Sequence, residues 1–287
     1  MNIAAFVTTS YLQHALIAGS AAAITAGVIG YFLVLRAQVF TADAFGHITY
    51  VGALGALVAG VNPLAGIFLA VSITAGLLAV AGGPRGGADD VTIGATFSWA
   101  LGLGALFAAI YTTRVTGAHD GRASISYLFG TVLSLTTTQV VISGVVLAIV
   151  VGTLWVVGRP LLFATVDPRL AAGRGVPVRW LDAGFLLLVG LTVGQAAQTM
   201  GALLILGLLA APAGAAHLLT PRPIAGMLLA ALLALLAVWS GLFVAYALPD
   251  VPPSFAILAT AAFEFACAGA PRVRRLISRR ALVHSAG

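Results

Sequence analysis

Residues 31–47 read YFLVLRAQVFTADAFGH. An apolar run ends at a lone arginine, Arg36. A short link follows, and a second apolar run opens carrying two ionisable groups, Asp43 and His47. An Asp and a His four apart project from one face of a helix, where a carboxylate oxygen and an imidazole nitrogen can hold a divalent cation together. Ionisable side chains are costly inside apolar spans, so they mark function when the spans lie in a membrane. Composition puts them there. Of the 287 residues, 61% are hydrophobic and only 8% are charged, where a soluble domain carries roughly 25%. Mean hydropathy is +1.09. So little charge cannot coat a water-facing surface. The 34 glycines suit close-packed membrane helices, and the alternating ten-residue strands of a membrane barrel are missing. The expected fold is an all-α, polytopic transmembrane helix bundle.

Outward from that stretch, about nine apolar spans can be drawn, at roughly 12–35, 42–60, 63–81, 93–112, 138–158, 181–199, 201–219, 224–248 and 252–270. Breaks are expected at Asn62-Pro63, Gly82-Gly83-Pro84, Arg159-Pro160, Pro221-Arg222-Pro223 and Pro252-Pro253. Residues 124–137 are apolar but too short to span, which fits a re-entrant or broken helix. The whole of 1–287 reads as one transmembrane domain, with a cytoplasmic segment at 159–180 and a basic cytoplasmic tail at 271–287. All 14 basic residues are arginine. Placing 159–180 and the C-terminus in the cytoplasm leaves only Arg114 and Arg122 outside, as the positive-inside rule asks. That rule explains the basicity better than nucleic-acid binding does. The tail is expected to lie on anionic lipid. The N-terminal run has no basic stretch or small-residue cleavage site, so no removable signal peptide is expected. One cysteine, Cys267, allows no disulfide framework. Within 159–180, Asp167-Pro168 is a helix start and Gly173 and Gly175 are stops. The alternatives are a short helix on the membrane face, fit to dock a soluble partner, and a plain solvated loop.

Lysine is absent, so a P-loop is impossible. Nucleophile-elbow, HExxH and CxxC patterns are missing too. The chain is not expected to be an enzyme, and any ATP hydrolysis must come from another polypeptide. Asp43 and His47 are the leading candidates. Their donor set suits Mn²⁺, Zn²⁺ or Fe²⁺ more than Ca²⁺ or Mg²⁺. The plainer reading makes Thr41 or Asp43 a helix cap, with His47 bonded to a neighbouring backbone. Glu264 is a further acid deep in a span, able to bond across helices or line a pathway. His217, near a helix end, fits a cap or an inter-helix bond better than a metal ligand. His14 and His119 are expected to be solvated.

The stretch 31–47 resembles the start of the permease subunit of zinc/manganese-type ABC importers, where an apolar helix ending F-x-V-L-R is followed by D-A-x-S-H. Four more blocks resemble that family in the same order: SYLFGTVLSL (126–135), DPRLAAGRGV (167–176), GALLILGLLAAPAGAAHLLT (201–220) and LPDVPPSFAILAT (248–260). This chain differs in having Gly46 for the usual Ser, Val51 for Pro, His217 where Arg is common and Ser254 for Gly. The resemblance implies a homodimer in a bacterial plasma membrane, served by cytoplasmic ABC ATPase subunits that hold the ATP and by an external metal-binding lipoprotein. No permanently bound cofactor is implied, only a transported cation. It also implies that Asp43 and His47 fall on the ion pathway, and that the loop carrying Asp167, Arg169, Ala171 and Gly175 takes up the ATPase stroke.

The expected function is thus an alternating-access importer of zinc or manganese. The rivals are an ion- or proton-coupled secondary transporter using Asp43 and Glu264, and an ABC permease for a siderophore or vitamin. The arginine count places Asp43 and His47 near the cytoplasmic end of their span, an awkward depth for a transport site unless the 37–46 link folds into the bundle or, the preferred reading, the N-terminal span count is off by one.

Overall fold

Each apolar run folds as a helix because lipid offers its backbone no hydrogen-bond partner, so every amide must bond within its own segment. The computed structural model describes residues 10–81, 90–115, 127–128, 130, 132–202, 205–248 and 250–284. Among them no strand occurs. The helices are α1 (Ser10–Leu35), α2 (Val39–Val58), α3 (Pro63–Ala81), α4 (Asp90–Ile110), α5 (Thr137–Val166), α6 (Pro168–Gly173), α7 (Val178–Met200), α8 (Ile205–Leu219), α9 (Pro223–Ala247) and α10 (Pro253–His284). A π turn, Tyr111–Val115, follows α4, and a 3-10 turn, Val132–Ser134, precedes α5.

Among the described residues, seven helices are long and apolar enough to cross a membrane. Among the spans read from sequence, the two that fall short are α2 and α8. Helix α2 has the length, but Asp43 and His47 lower its hydropathy. Helix α8 is apolar but has only 15 residues. Short or interrupted hydrophobic segments are where transporters place their sites.

Two helices lie inside. Within their most apolar windows, 72% of α1 and 67% of α7 is buried, against 17–33% for the other candidate spans. Helices α2, α3 and α4 pack on one side of this pair, α8, α9 and α10 on the other, and α5 covers both inner helices. Small residues make this possible, since membrane helices associate through close packing rather than through a hydrophobic drive. A Cβ on Gly27 would lie 2.5 Å from the Ala231 Cα, and one on Gly30 would overlap the Leu209 carbonyl oxygen. Phe32 and Phe185 meet edge to face between the inner helices, 6.0 Å apart.

The structure corrects the sequence reading at several boundaries. The expected break at Arg159-Pro160 does not occur, and α5 runs on through Pro160 to Val166. Pro160 lacks only one amide donor, a loss that membrane helices tolerate. Helix α8 starts at Ile205 rather than 201, and α10 continues to His284, beyond the expected end at 270. Helix α2 starts at Val39 behind Gln38, so Thr41 and Asp43 lie inside the helix and cap nothing. The expected break at Gly82-Gly83-Pro84, most of the 124–131 run and His119 lie outside the described residues.

Candidate functional site

A tight elbow after α1 sets the position of Asp43 and His47. The Gln38 amide donates to the Leu33 carbonyl at 2.9 Å and the Ala37 amide to the Val34 carbonyl at 3.1 Å. Ala37 takes φ +55°, a left-handed C-terminal position that usually falls to glycine. The chain turns at once into α2, leaving no link outside the bundle. Phe45 then lies against Gly190, about midway along α7, 3.1 Å from where a Cβ would stand. Asp43 and His47 therefore flank a contact made inside the bundle. Both are half-buried. The Phe97 ring of α4 meets the His47 imidazole edge on, with centroids 4.8 Å apart.

Beside them the helical backbone is interrupted. Helix α7 ends at Met200, Gly201 adopts φ +89° and ψ 152°, and α8 begins at Ile205. Non-helical backbone within a membrane bundle survives only where protein or a lined cavity covers it. Protein covers it from two sides. Gly130, at φ +77°, lies directly on the Met200–Gly201 peptide, where a Cβ would be 2.7 Å from the Thr199 oxygen and closer still to the Gly201 nitrogen. The Ala202 amide donates to the Tyr127 carbonyl at 3.1 Å. On the other side Gly46 approaches so closely that its Cβ would be 2.7 Å from the Ala202 carbonyl oxygen. Tyr127 and Gly130 thus pack against the broken α7–α8 junction, and Gly46, next to His47, packs on it too. Replacing Gly46 by Ser, the residue usual in the resembled family, drives a side chain into that carbonyl. We expect a loss of about 1–3 kcal/mol, read as a lowered unfolding temperature in detergent. An unchanged melting curve contradicts the close contact.

The remaining candidates are scattered. Glu264 lies on α10, whose main neighbours are α8 and α9, whereas α2 packs on α3, α4, α7 and α8. One chain does not bring Glu264 to Asp43 and His47, and its buried Oε2 has no hydrogen-bond partner among the described residues. Nor does any group of three or more His, Cys, Asp or Glu side chains able to hold a metal occur there. His217 makes the inter-helix bond: its Nε2 is 3.1 Å from the Tyr31 carbonyl oxygen, and its ring stacks on Tyr31 at 4.1 Å. His14, expected to be solvated, is part-buried, with Nδ1 3.2 Å from the Leu135 carbonyl oxygen.

The segment after α5 is a capped helix rather than a loop. Asp167 Oδ1 accepts the Leu170 amide at 2.9 Å, Ala171 is fully buried, and Gly175 at φ +81° lets the Val176 amide return to the Ala171 carbonyl at 3.0 Å. Three of the four residues singled out in this segment make α6 a small rigid unit. The fourth, Arg169, is exposed on it.

Sequence reading missed two features. Arg36, taken for a loop arginine, is buried: its Nη1 donates to Asp182 Oδ1 at 2.6 Å, with side chains 9% and 10% exposed. Its Nε donates to Thr165 Oγ1 at 2.9 Å, and its guanidinium lies 4.5 Å above the Phe185 ring. An acid at the mouth of an apolar span, facing an arginine at the mouth of another, was the available signal. The second feature is a polar face on α7, formed by Thr192, Gln195, Gln198 and Thr199, all buried. Thr25 Oγ1 donates to Gln195 Oε1 at 3.4 Å. The run TVGQAAQT (192–199) announces it.

Comparison with known proteins follows the same lines. The model of a family described as the ABC 3 transport family matches residues 8–270. The manganese transport system membrane protein MntC of Halalkalibacterium halodurans is 30% identical over 260 residues, covering 90% of this chain and 86% of that protein. The manganese import system permease protein ScaB of Streptococcus parasanguinis is 30% identical over 256 residues, covering 88% of each. Among solved structures, PsaBC from Streptococcus pneumoniae, in complex with a Fab, matches with a TM-score of 0.78 at 26% identity, over 93% of this chain and 94% of that one.

Proposed function

Since the chain belongs to the ABC 3 transport family, we propose that it is the membrane-spanning subunit of an ATP-driven importer of Mn²⁺. The observation that carries this reading is the placement of Asp43 and His47. They lie on one face of α2, on either side of Phe45 and Gly46, which pack against α7 and the broken α7–α8 junction. A carboxylate and an imidazole suit Mn²⁺, and the relatives are named for manganese. Two ligands bind a dication loosely, and a transport site needs a cargo that leaves. Two copies of the chain, each lending Asp43 and His47, give a fuller and still labile shell. An external binding protein delivers the ion. ATPase subunits grip α6, whose Leu170, Arg169 and Arg174 are exposed, and their closure turns the bundle between outward and inward access. The C-terminus lies on the same cytoplasmic side as α6.

Expression of the chain with its neighbouring ATPase, in cells stripped of manganese uptake, tests the reading. We expect radioactive Mn²⁺ accumulation to rise well above that of cells without the chain, and to vanish with a dead ATPase. Accumulation of Zn²⁺ but not Mn²⁺ would reassign the cargo. Uptake that persists without the ATPase would remove the importer reading.

A further inference from the structure

Arg36 closes a loop between two elements that the import reading treats separately. Helix α6 hangs between α5 and α7. Thr165, in the last turn of α5, and Asp182, in the first turns of α7, are the two posts on which it hangs, and a single guanidinium binds both, at 2.9 and 2.6 Å. The same residue is the first of the elbow. Ala37 and Gln38 complete the turn, and α2 starts at Val39, four residues before Asp43. The pair is buried, so opening it strands a charge in a low-dielectric setting. Displaced posts therefore drag the arginine instead of releasing it. Stacking on Phe185 restricts the guanidinium further. Its Nη2 is buried and has no acceptor among the described residues, leaving one donor to engage when the helices shift.

We propose that Arg36 and Asp182 are a positioning pair that transmits movement of α6 to α2, and so to Asp43 and His47. The inference rests on the import reading. A merely structural staple accounts for the same contacts, so the test must separate holding from transmitting. Proteoliposomes carrying the complex with its ATPase give two rates, Mn²⁺ uptake and ATP hydrolysis, and their ratio is the readout. Replacing a buried ion pair by apolar residues of similar volume often preserves or raises stability. The double variant Arg36→Met with Asp182→Leu is therefore expected to stay folded and to hydrolyse ATP, while moving about tenfold fewer Mn²⁺ ions per ATP. Thr165→Val leaves the ion pair intact and cuts only the α5 post, so its ratio is expected to fall about threefold with an unchanged melting temperature. If the double variant does not fold, Thr165→Val decides alone. Ratios equal to the unaltered chain's, or uptake and hydrolysis falling in step, overturn the pair's transmitting role and leave the import reading standing. An unaltered complex that shows no ATP-dependent Mn²⁺ uptake overturns both.

Discussion

Replacing Asp43 by Asn together with His47 by Gln is expected to return Mn²⁺ accumulation to the level of cells lacking the chain. Each single change is expected to cost about 10–100-fold, the range found when groups supporting a bound metal are removed. The Asp43→Asn change keeps a carbonyl oxygen of similar size but loses the charge that offsets a dication away from bulk water. The His47→Gln change keeps a polar side chain but not the imidazole lone pair. It is preferable to Ala, because the His47 ring packs edge on against Phe97 and truncation would open a void of its own. Radioactive Mn²⁺ uptake, normalised to the amount of chain in the membrane, is the measurement, with the exposed Asp250→Asn as the comparison. If the double variant transports like Asp250→Asn, neither side chain touches the cargo and the pathway lies elsewhere in the bundle.

The effect is expected to be this large because of where the pair packs, and that packing was not legible in the sequence. Residue spacing alone gave a shared face for Asp43 and His47. It did not show that the preceding link is a three-residue elbow folded by Ala37 in a left-handed conformation, because that position lacks the glycine that signals such a turn. Arginine counting treated Arg36 as a loop charge for the same reason. Composition says how many arginines lie on a side, and only tertiary structure says which of them finds an aspartate. The helices themselves were readable, since lipid allows an apolar run little else. Proline was a poor guide inside them. Pro160 in α5 and Pro212 in α8 sit within helices, whereas Pro63, Pro223 and Pro253 each begin one. What separates them is whether the missing amide donor falls in the first turn, where the helix has no acceptor for it. Five family-like blocks in order gave the family, and it was the structure that set Tyr127 and Gly130 of one block, and Gly46 of another, against residues 199–202.

That convergence yields the last large expected effect. Gly130→Ala should reduce Mn²⁺ uptake to a few per cent and lower the unfolding temperature of the detergent-solubilised chain. Three layers of backbone are stacked here: Gly130, the 200–202 junction, and Gly46 of α2. The atoms that a new Cβ at 130 would meet are the Gly201 nitrogen, the Met200 carbonyl carbon and the Thr199 oxygen. All are main chain, so no rotamer change can make room. Gly130 also sits at φ +77°, which costs an L-residue about 1–2 kcal/mol before any overlap is counted. The overlap adds roughly 1–3 kcal/mol. Relief comes only by moving the junction, and Gly46 packs so closely on it that even a Cβ there would overlap the Ala202 carbonyl oxygen. The push therefore reaches α2 one residue from His47. Gly201→Ala should act in the same direction, because φ +89° with ψ 152° is a region that only glycine occupies comfortably. Gly144→Ala on α5, where a Cβ meets nothing within 4 Å, is the matched control and should be neutral or slightly stabilising. If Gly130→Ala melts and transports like Gly144→Ala, the three layers do not bear on one another, and the broken junction has no part in placing His47.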